Sequence, residues 1–342
     1  MRLFELTRAL IDIESITGNE ERVGDYIVDQ LIPLADRFHG RVQPLEVEPK
    51  RFNVLAEWGD PVVTLSTHID TVPPFFPSTE DDEFIHGRGA CDTKGIIAAM
   101  ILAAGELLEA GTRGIALLFV VGEERNSAGA AAAAKNARGS RYLINGEPTE
   151  NKLALGSKGA LRVEVVAHGR MAHSAYPELG ESAIDKLLDA LNEIRRIPLP
   201  VDEVLGAGTL NIGTIHAGRA PNVIADRACA ELMIRLVDDG QTTRVALARA
   251  VQGKAELDEV LAIPAQHLGS LPGFDTTVVA YTSDIPVFAG AWGQPFLVGP
   301  GSIHVAHTPE ERVPKAQLVE AVQIYKRMVQ QLMKGSNGAA SY

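Results

Sequence analysis

Cysteine is scarce in this chain: Cys91 and Cys229 are the only two among 342 residues. Two thiols cannot build a disulfide framework, and they fit a reducing compartment. Basic residues are also in deficit, with 32 Lys and Arg against 44 Asp and Glu and a formal net charge of −12. Nucleic acid or an anionic membrane as the main partner is thereby disfavoured, because phosphate recognition needs a basic surface. No apolar run approaches the length of a membrane span. The opening "MRLFELTRALIDIES" is charged throughout and lacks the continuous apolar stretch of a secretory signal. A soluble, cytoplasmic protein is the expectation.

What is present is ordinary globular material, 46% hydrophobic and 22% charged. The length exceeds one compact core, which predicts two domains. Leu3, Leu6, Leu10 and Ile13 share one helical face, as do Val23, Tyr26, Ile27 and Leu31. Between them "TGNE" has the form of a capping box, with Thr17 capping backbone N–H groups and Glu20 reaching back. Four short apolar runs, "PVVTLST", "IALLFVV", "RYLIN" and "QPFLVG", are the right length for buried strands. A long helical pattern ending at Gly111 separates the first two. Strands alternating with helices predict an α/β fold around a largely parallel sheet.

The rhythm changes between 159 and 266. "LRVEVVAHG", "SAIDKLLDALNEIRRI", "GTLNIGTIHAG", "RACAELMIRLV", "TTRVALARAVQ" and "AELDEVLAI" read in order as βαββαβ, a ferredoxin-like arrangement. The expected organisation is a catalytic domain in two parts, 1–158 and 267–334, with 159–266 inserted. The tail 335–342 is expected to be disordered.

Each apolar run ends in candidate metal ligands. His68 and Asp70 follow the first, Glu123 and Glu124 the second, Glu147 the third, and a loop with His304 and His307 the fourth. "GRGACDTKG" adds Asp92 on a glycine-rich loop before a helix. Open α/β sheets bind ligands beyond the carboxyl ends of their strands, so these groups can meet at one rim. Such a mixed N/O set suits zinc, cobalt or manganese. Each signal alone has a bland alternative: "EE" and "HTPEE" fit acidic helix starts, and "NGEPT" fits a turn. Their joint placement at strand ends is what carries weight.

The motifs "STHIDTVP", "GRGACDTKG", "GEER", "NGEPT", "GRMAHSAYP" and "GPGSIHVAHTPEER" stand in an order that spans the chain. In this it resembles the co-catalytic zinc metallopeptidase family of acetylornithine deacetylase, succinyl-diaminopimelate desuccinylase, aminoacylase and glutamate carboxypeptidase. The resemblance implies a zinc-peptidase-like α/β/α catalytic domain with an inserted ferredoxin-like dimerisation or lid domain. It also implies two Zn2+ per chain, with Co2+ or Mn2+ able to substitute. By motif, His68 and Glu147 would hold one ion, Glu124 and His307 the other, and Asp92 would bridge them, followed by a cis peptide bond. His304 is not carried over as a ligand. Asp70 would orient His68, and Glu123 would be the general base that activates the attacking water. His173 would reach the site of a partner subunit in a homodimer, and Asn222 and Arg235 would bind a substrate carboxylate. Gly218 and Ala225 depart from the commoner form of the loop around Asn222.

Within the family, Cys91 before Asp92 and the "GPGS…AHTPEE" ending look most like acetylornithine deacetylases. Hydrolysis of the amide of an N-acyl amino acid is therefore the first expectation. A deacylase of the lysine and ornithine carrier-protein branch, a desuccinylase, and a dipeptidase or carboxypeptidase stay open. A single-zinc enzyme, and a metal-free amino-acid-binding protein on the same fold, are the further alternatives.

Overall fold

The computed structural model of the protein describes residues 3–338. The chain divides into two compact units: Met1–Leu155 with Leu268–Thr277 and Ser283–Tyr342, and Gly156–His267 with Val278–Thr282. The smaller unit is thus slightly wider than 159–266. It also takes in 278–282, because Lys158 N–H donates to Val279 O (3.0 Å) and the Ser157 hydroxyl to Tyr281 O.

The larger unit begins with α1 (Leu3–Ile11), α2 (Glu21–Phe38), β1 (Arg41–Glu48), β2 (Arg51–Trp58) and β3 (Val63–His68). There follow α3 (Gly95–Glu109), β4 (Ile115–Val120), α4 (Ala128–Ala134) and β5 (Tyr142–Asn145). The smaller unit contributes β6 (Gly159–His168), α5 (Ala183–Ile194), β7 (Thr209–Ala217), β8 (Arg227–Leu236), α6 (Gln241–Val251) and β9 (Glu256–Ile263). The larger unit resumes with β10 (Gln294–Leu297) and closes with α7 (Lys315–Gly338). That helix runs through 335–338, part of the tail expected to be disordered; 339–342 lie outside the described residues.

In the larger unit six strands form one sheet in the order β1-β2-β4-β3-β5-β10. β4, β3, β5 and β10 are parallel, while β2 runs antiparallel to β4 and carries β1 as an edge hairpin. The period-2 geometry of strands sends alternate side chains to two separate cores. Val54, Ala56, Trp58, Leu117 and Phe119 face one way, against Leu10 of α1, Ile27 of α2, α3 and Tyr325 of α7. Leu55, Ala116, Leu118, Val120 and Leu143 face the other way, against Ala130 and Ala133 of α4, Phe288 and Trp292. β3 and β4 are buried along their whole length; β4 accordingly reads in sequence as a continuous apolar run, while β3 places the small buried hydroxyls of Thr64, Ser66 and Thr67 among its apolar residues. α3 is apolar almost all round because it is enclosed by the sheet, α1 and α7. Each Leu or Ile so buried contributes roughly 1.5–3 kcal/mol relative to exposure.

The capping box expected at "TGNE" does not form. Glu20 occupies the N-cap of α2 without a side-chain cap bond, and both its carboxylate oxygens bond the Arg51 guanidinium. The Thr17 hydroxyl donates instead to Asp70 Oδ2 at 2.7 Å. The charged guanidinium of Arg51 and the charged carboxylate of Asp70 take these two side chains, because hydrogen bonds to ionised groups are the stronger ones.

The smaller unit is a four-stranded antiparallel sheet in the order β7-β8-β6-β9. β8 alternates cleanly: Ala228, Ala230, Leu232, Ile234 and Leu236 pack under α5 and α6, while Arg235 lies on the other face. With α5 after β6 and α6 after β8, this is the ferredoxin-like βαββαβ order.

Candidate metal centre

The parallel strands all release their chain at one rim of the sheet, and each release delivers a polar side chain. β3 ends on His68 itself, whose main-chain carbonyl accepts from the Thr93 hydroxyl (2.7 Å). β4 ends at Val120, and Gly122 at φ +82 turns the chain so that Glu123 and Glu124 come next. β5 leads through Gly146 to Glu147, and β10 leads to the 299–311 loop with His307. Asp92 enters on the 87–94 segment, and its bond to Thr93 is cis.

Ligand atoms of His68, Asp92 and Glu124 lie within 4.8 Å of one another. Asp92 stands between the two imidazoles: Oδ1 is 2.9 Å from His68 Nε2 and Oδ2 is 3.2 Å from His307 Nε2. His307 Nε2 is also 3.0 Å from Glu124 Oε1. Glu147 is buried, and its Oε1 has no hydrogen-bond partner among the described residues. His304 is exposed and interacts electrostatically with Glu150.

Asp70 sits behind this group and is fully buried. Its Oδ1 accepts from the N–H of Gly122 (3.0 Å) and Glu123 (3.1 Å), and its Oδ2 from Glu124 N–H (3.3 Å) and Thr17. Facing His68 Nδ1, the Asp70 main-chain carbonyl at 3.0 Å is nearer than its carboxylate at 3.5 Å. Asp70 therefore orients His68 mainly through its backbone, and its carboxylate gathers the amides of the turn carrying Glu123 and Glu124.

The electrostatics are those of an anionic pocket. Burial opposes the charge of Asp92, yet the imidazoles of His307 and His68 hold its carboxyl well below the usual range. Glu123, Glu124 and Glu147 are pushed the other way, first by burial and also by neighbouring carboxylates, with His68, and for Glu124 above all the hydrogen bond to His307, offsetting only part. His307 is pushed up to about 10 by Asp92 and Glu124. Four carboxyl groups around two imidazoles need more positive charge than the protein supplies. A divalent cation meets that need, and an orphaned buried Glu147 oxygen among N and O donors fits zinc-type ligation.

His173, Asn222 and Arg235 belong to the smaller unit. The His173 and Asn222 loops lie side by side there: Ser174 N–H donates to Asn222 O (3.0 Å), and His173 pairs with Val223. His173 is exposed and its Nδ1 accepts from Ala175 N–H (3.1 Å), which leaves the proton on Nε2. Arg235 is partly buried, and no ion-pair partner is found for it among the described residues. Gly218 takes φ +71, and Ala225 is buried.

Several supporting residues escaped the sequence reading. Glu311 was legible only as an acidic helix start, but α7 begins four residues later and Glu311 is buried. It pairs with buried Arg88 and accepts from Gly89 N–H (3.0 Å) and Asp92 N–H (3.3 Å), tying the Asp92 segment to the His307 loop. Asp284 is buried, its Oδ1 has no hydrogen-bond partner among the described residues, and burial pushes its carboxyl up to about 7. The place of Glu311 in "GPGSIHVAHTPEER" was the sequence signal that could have found it.

Comparison with known proteins identifies the family of the chain. A family model described as Peptidase family M20/M25/M40 matches residues 64–331. A Peptidase M20 domain-containing protein of Schizosaccharomyces pombe is 41% identical over 337 residues, covering 96% of this chain and 84% of that protein. An Aspergillus niger protein named as a probable carboxypeptidase is 38% identical over 367 residues, 94% of this chain and 88% of its own. A solved Staphylococcus aureus tripeptidase has the same fold, with a TM-score of 0.83 at 22% identity over 97% of this chain and 98% of that one. The chain belongs to peptidase family M20/M25/M40, and it is a metallohydrolase of that family.

Proposed function

We propose that this protein is a metal-dependent exopeptidase of carboxypeptidase type, acting on small peptides or N-acyl amino acids with a free C-terminal carboxylate. The observation that carries this reading is the identity of 37–38% to fungal proteins named as probable carboxypeptidases, over 94–96% of the chain. Acetylornithine deacetylase, the first expectation from sequence, is not among the names these relatives bear. Arg235 adds physical support: a partly buried guanidinium with no carboxylate partner among the described residues is suited to a substrate's.

His68 and Glu147 would hold one cation and Glu124 and His307 the other, with Asp92 between them. Bound there, such ions supply Lewis-acid polarisation of the scissile carbonyl and of the attacking water. Glu123, next to Glu124 but outside the compact group of donor atoms, takes the water's proton and returns it to the departing amine. The Nε2–H of His173 is a ready donor for the developing oxyanion. In this reading His173 serves the site of a partner subunit, so a homodimer is the catalytic unit. Mixing His173→Ala with Glu123→Ala chains should then regenerate activity, because each mixed dimer contains one intact site.

The deciding experiment supplies zinc or cobalt and compares dipeptides, their C-terminal amides and N-acetylornithine. Free-acid peptides should be hydrolysed, with amidation costing on the order of 100-fold in kcat/KM for loss of the charge-assisted contact. Turnover of N-acetylornithine with inert peptides would return the deacetylase reading. Metal analysis under saturating zinc separates two ions per chain from one or none.

A further inference from the structure

The stretch "ESITGNE" precedes α2 and lies in none of the elements that hold the cluster, yet Ser15 and Thr17 bond it to the 69–71 segment that follows His68. Ser15 is fully buried and its hydroxyl donates to Ile69 O (2.9 Å). Thr71 N–H donates to Ser15 O (3.0 Å), Thr17 N–H donates to Thr71 O (3.2 Å), and Ile16 bridges Thr71 in parallel. Two residues upstream, Ile13 O accepts from the buried Lys94 ammonium at 2.6 Å. The segment is therefore a strap held to 69–71 through one isolated bridge on one side and to the residue two beyond Asp92 on the other.

Thr17 is where this strap reaches a charge. Without its hydroxyl, Asp70 Oδ2 would keep only the Glu124 N–H, at a long 3.3 Å. That carboxylate sets the amides of 122–124, and hence the launch direction of Glu123 and Glu124. The far end of the same stretch backs the same turn. Glu20 holds Arg51, and a Cβ placed on Gly122 would lie 2.9 Å from Arg51 Nη2.

We infer that Thr17 is a positioning residue of the metal centre, its hydroxyl orienting the Asp70 carboxylate and through it the Glu123–Glu124 turn. The inference rests on the metallohydrolase reading above. Thr17→Val keeps the branched shape and removes the donor, whereas Thr17→Ser keeps the donor and removes the methyl. Zinc dissociation constants by chelator competition, kcat, KM and Tm are measured for both variants and the wild type.

Thr17→Val should weaken zinc binding and lower kcat, each on the order of 10-fold, with KM changed less than about two-fold and Thr17→Ser recovering most of the loss. Two results overturn the inference: a Thr17→Val chain that matches the wild type in zinc affinity and kcat, whatever its Tm, or a Ser variant as impaired as the Val variant. A wild-type chain that takes up neither zinc nor cobalt overturns the metal-centre reading itself. That failure is distinguishable, because it precedes any comparison of variants.

Discussion

Replacing Asp70 by Asn removes one charge and turns half of an acceptor into a donor. In the native site Oδ1 accepts two main-chain N–H groups at 3.0 and 3.1 Å, and Oδ2 accepts one at 3.3 Å and the Thr17 hydroxyl at 2.7 Å. An asparagine can keep its carbonyl on Gly122 and Glu123, and Thr17 can rotate its hydroxyl to accept from the new amide. The Glu124 N–H cannot adapt; one unpaired buried donor costs about 1–3 kcal/mol. The surviving bonds lose their ionic character, about 1 kcal/mol each. Relief of repulsion from the nearby carboxylates returns part of this, leaving a net loss of about 3–4 kcal/mol. The chain's two tryptophans, Trp58 and Trp292, are both buried in the larger unit, so their fluorescence during urea unfolding reports that unit. The midpoint should fall by the equivalent of that loss, and zinc affinity should drop on the order of 10-fold. An Asp70→Asn protein with an unchanged midpoint and wild-type zinc affinity would refute the assignment of Asp70 as the hub of the site.

The adjacent glutamates should separate. Glu124 contributes a donor atom to the compact three-residue group and Glu123 does not. Glu123→Ala should retain zinc and lose about 10²–10⁴ in kcat, whereas Glu124→Ala should lose zinc affinity first. Metal analysis alongside kinetics checks this, and equal metal loss in both variants would contradict it. Zinc affinity should also rise with pH. In the metal-free protein Asp92 and Glu124 hold the His307 proton up to about 10, so each displaced proton contributes roughly ten-fold per pH unit below that value. A flat affinity profile between about pH 6 and 9 would count against it. The metal-free fold has the opposite slope from this group. A raised His307 stabilises fully below its ordinary 6.5, and that increment fades as pH climbs toward about 10. Finally, Gly146→Ala would place a Cβ 2.4 Å from Ile96 Cγ2 and 2.7 Å from Met100 Cε. Since Gly146 is bonded to Ser66 and Thr67, strain relief must move Glu147; urea unfolding should show a loss of about 1–3 kcal/mol, together with weaker zinc binding.

Much of the catalytic framework was legible because burial on both faces turns parallel strands into continuous apolar runs. β4 is such a run, and the first charged side chains, Glu123 and Glu124, follow shortly after its end; β3 mixes Val63 and Leu65 with small hydroxyl residues and ends on His68. The edge hairpin was not legible. β1 is half exposed, mixes charges with apolar residues and contains Pro44, as an edge strand can. "TGNE" misled for a related reason: a Thr three residues before a Glu is a sound local capping signal, and nothing nearby in sequence reveals that Asp70 and Arg51 compete for it. Glu311 met the same fate, because its partner Arg88 lies 223 residues away.

The sequence by itself determined the α/β alternation, the inserted βαββαβ unit and the residue types gathered for metal chemistry. These follow from hydrophobic period and from where that period breaks, both of which are local. The tertiary structure alone decided how these groups stand to one another. It set Asp92 between two imidazoles, left a Glu147 oxygen without a partner, and drew Thr17 and Glu311 in to brace the loops. Those roles depend on distances of about 3 Å between groups far apart in the chain, and in a low-dielectric pocket such distances set both the hydrogen bonds and the charge each group carries.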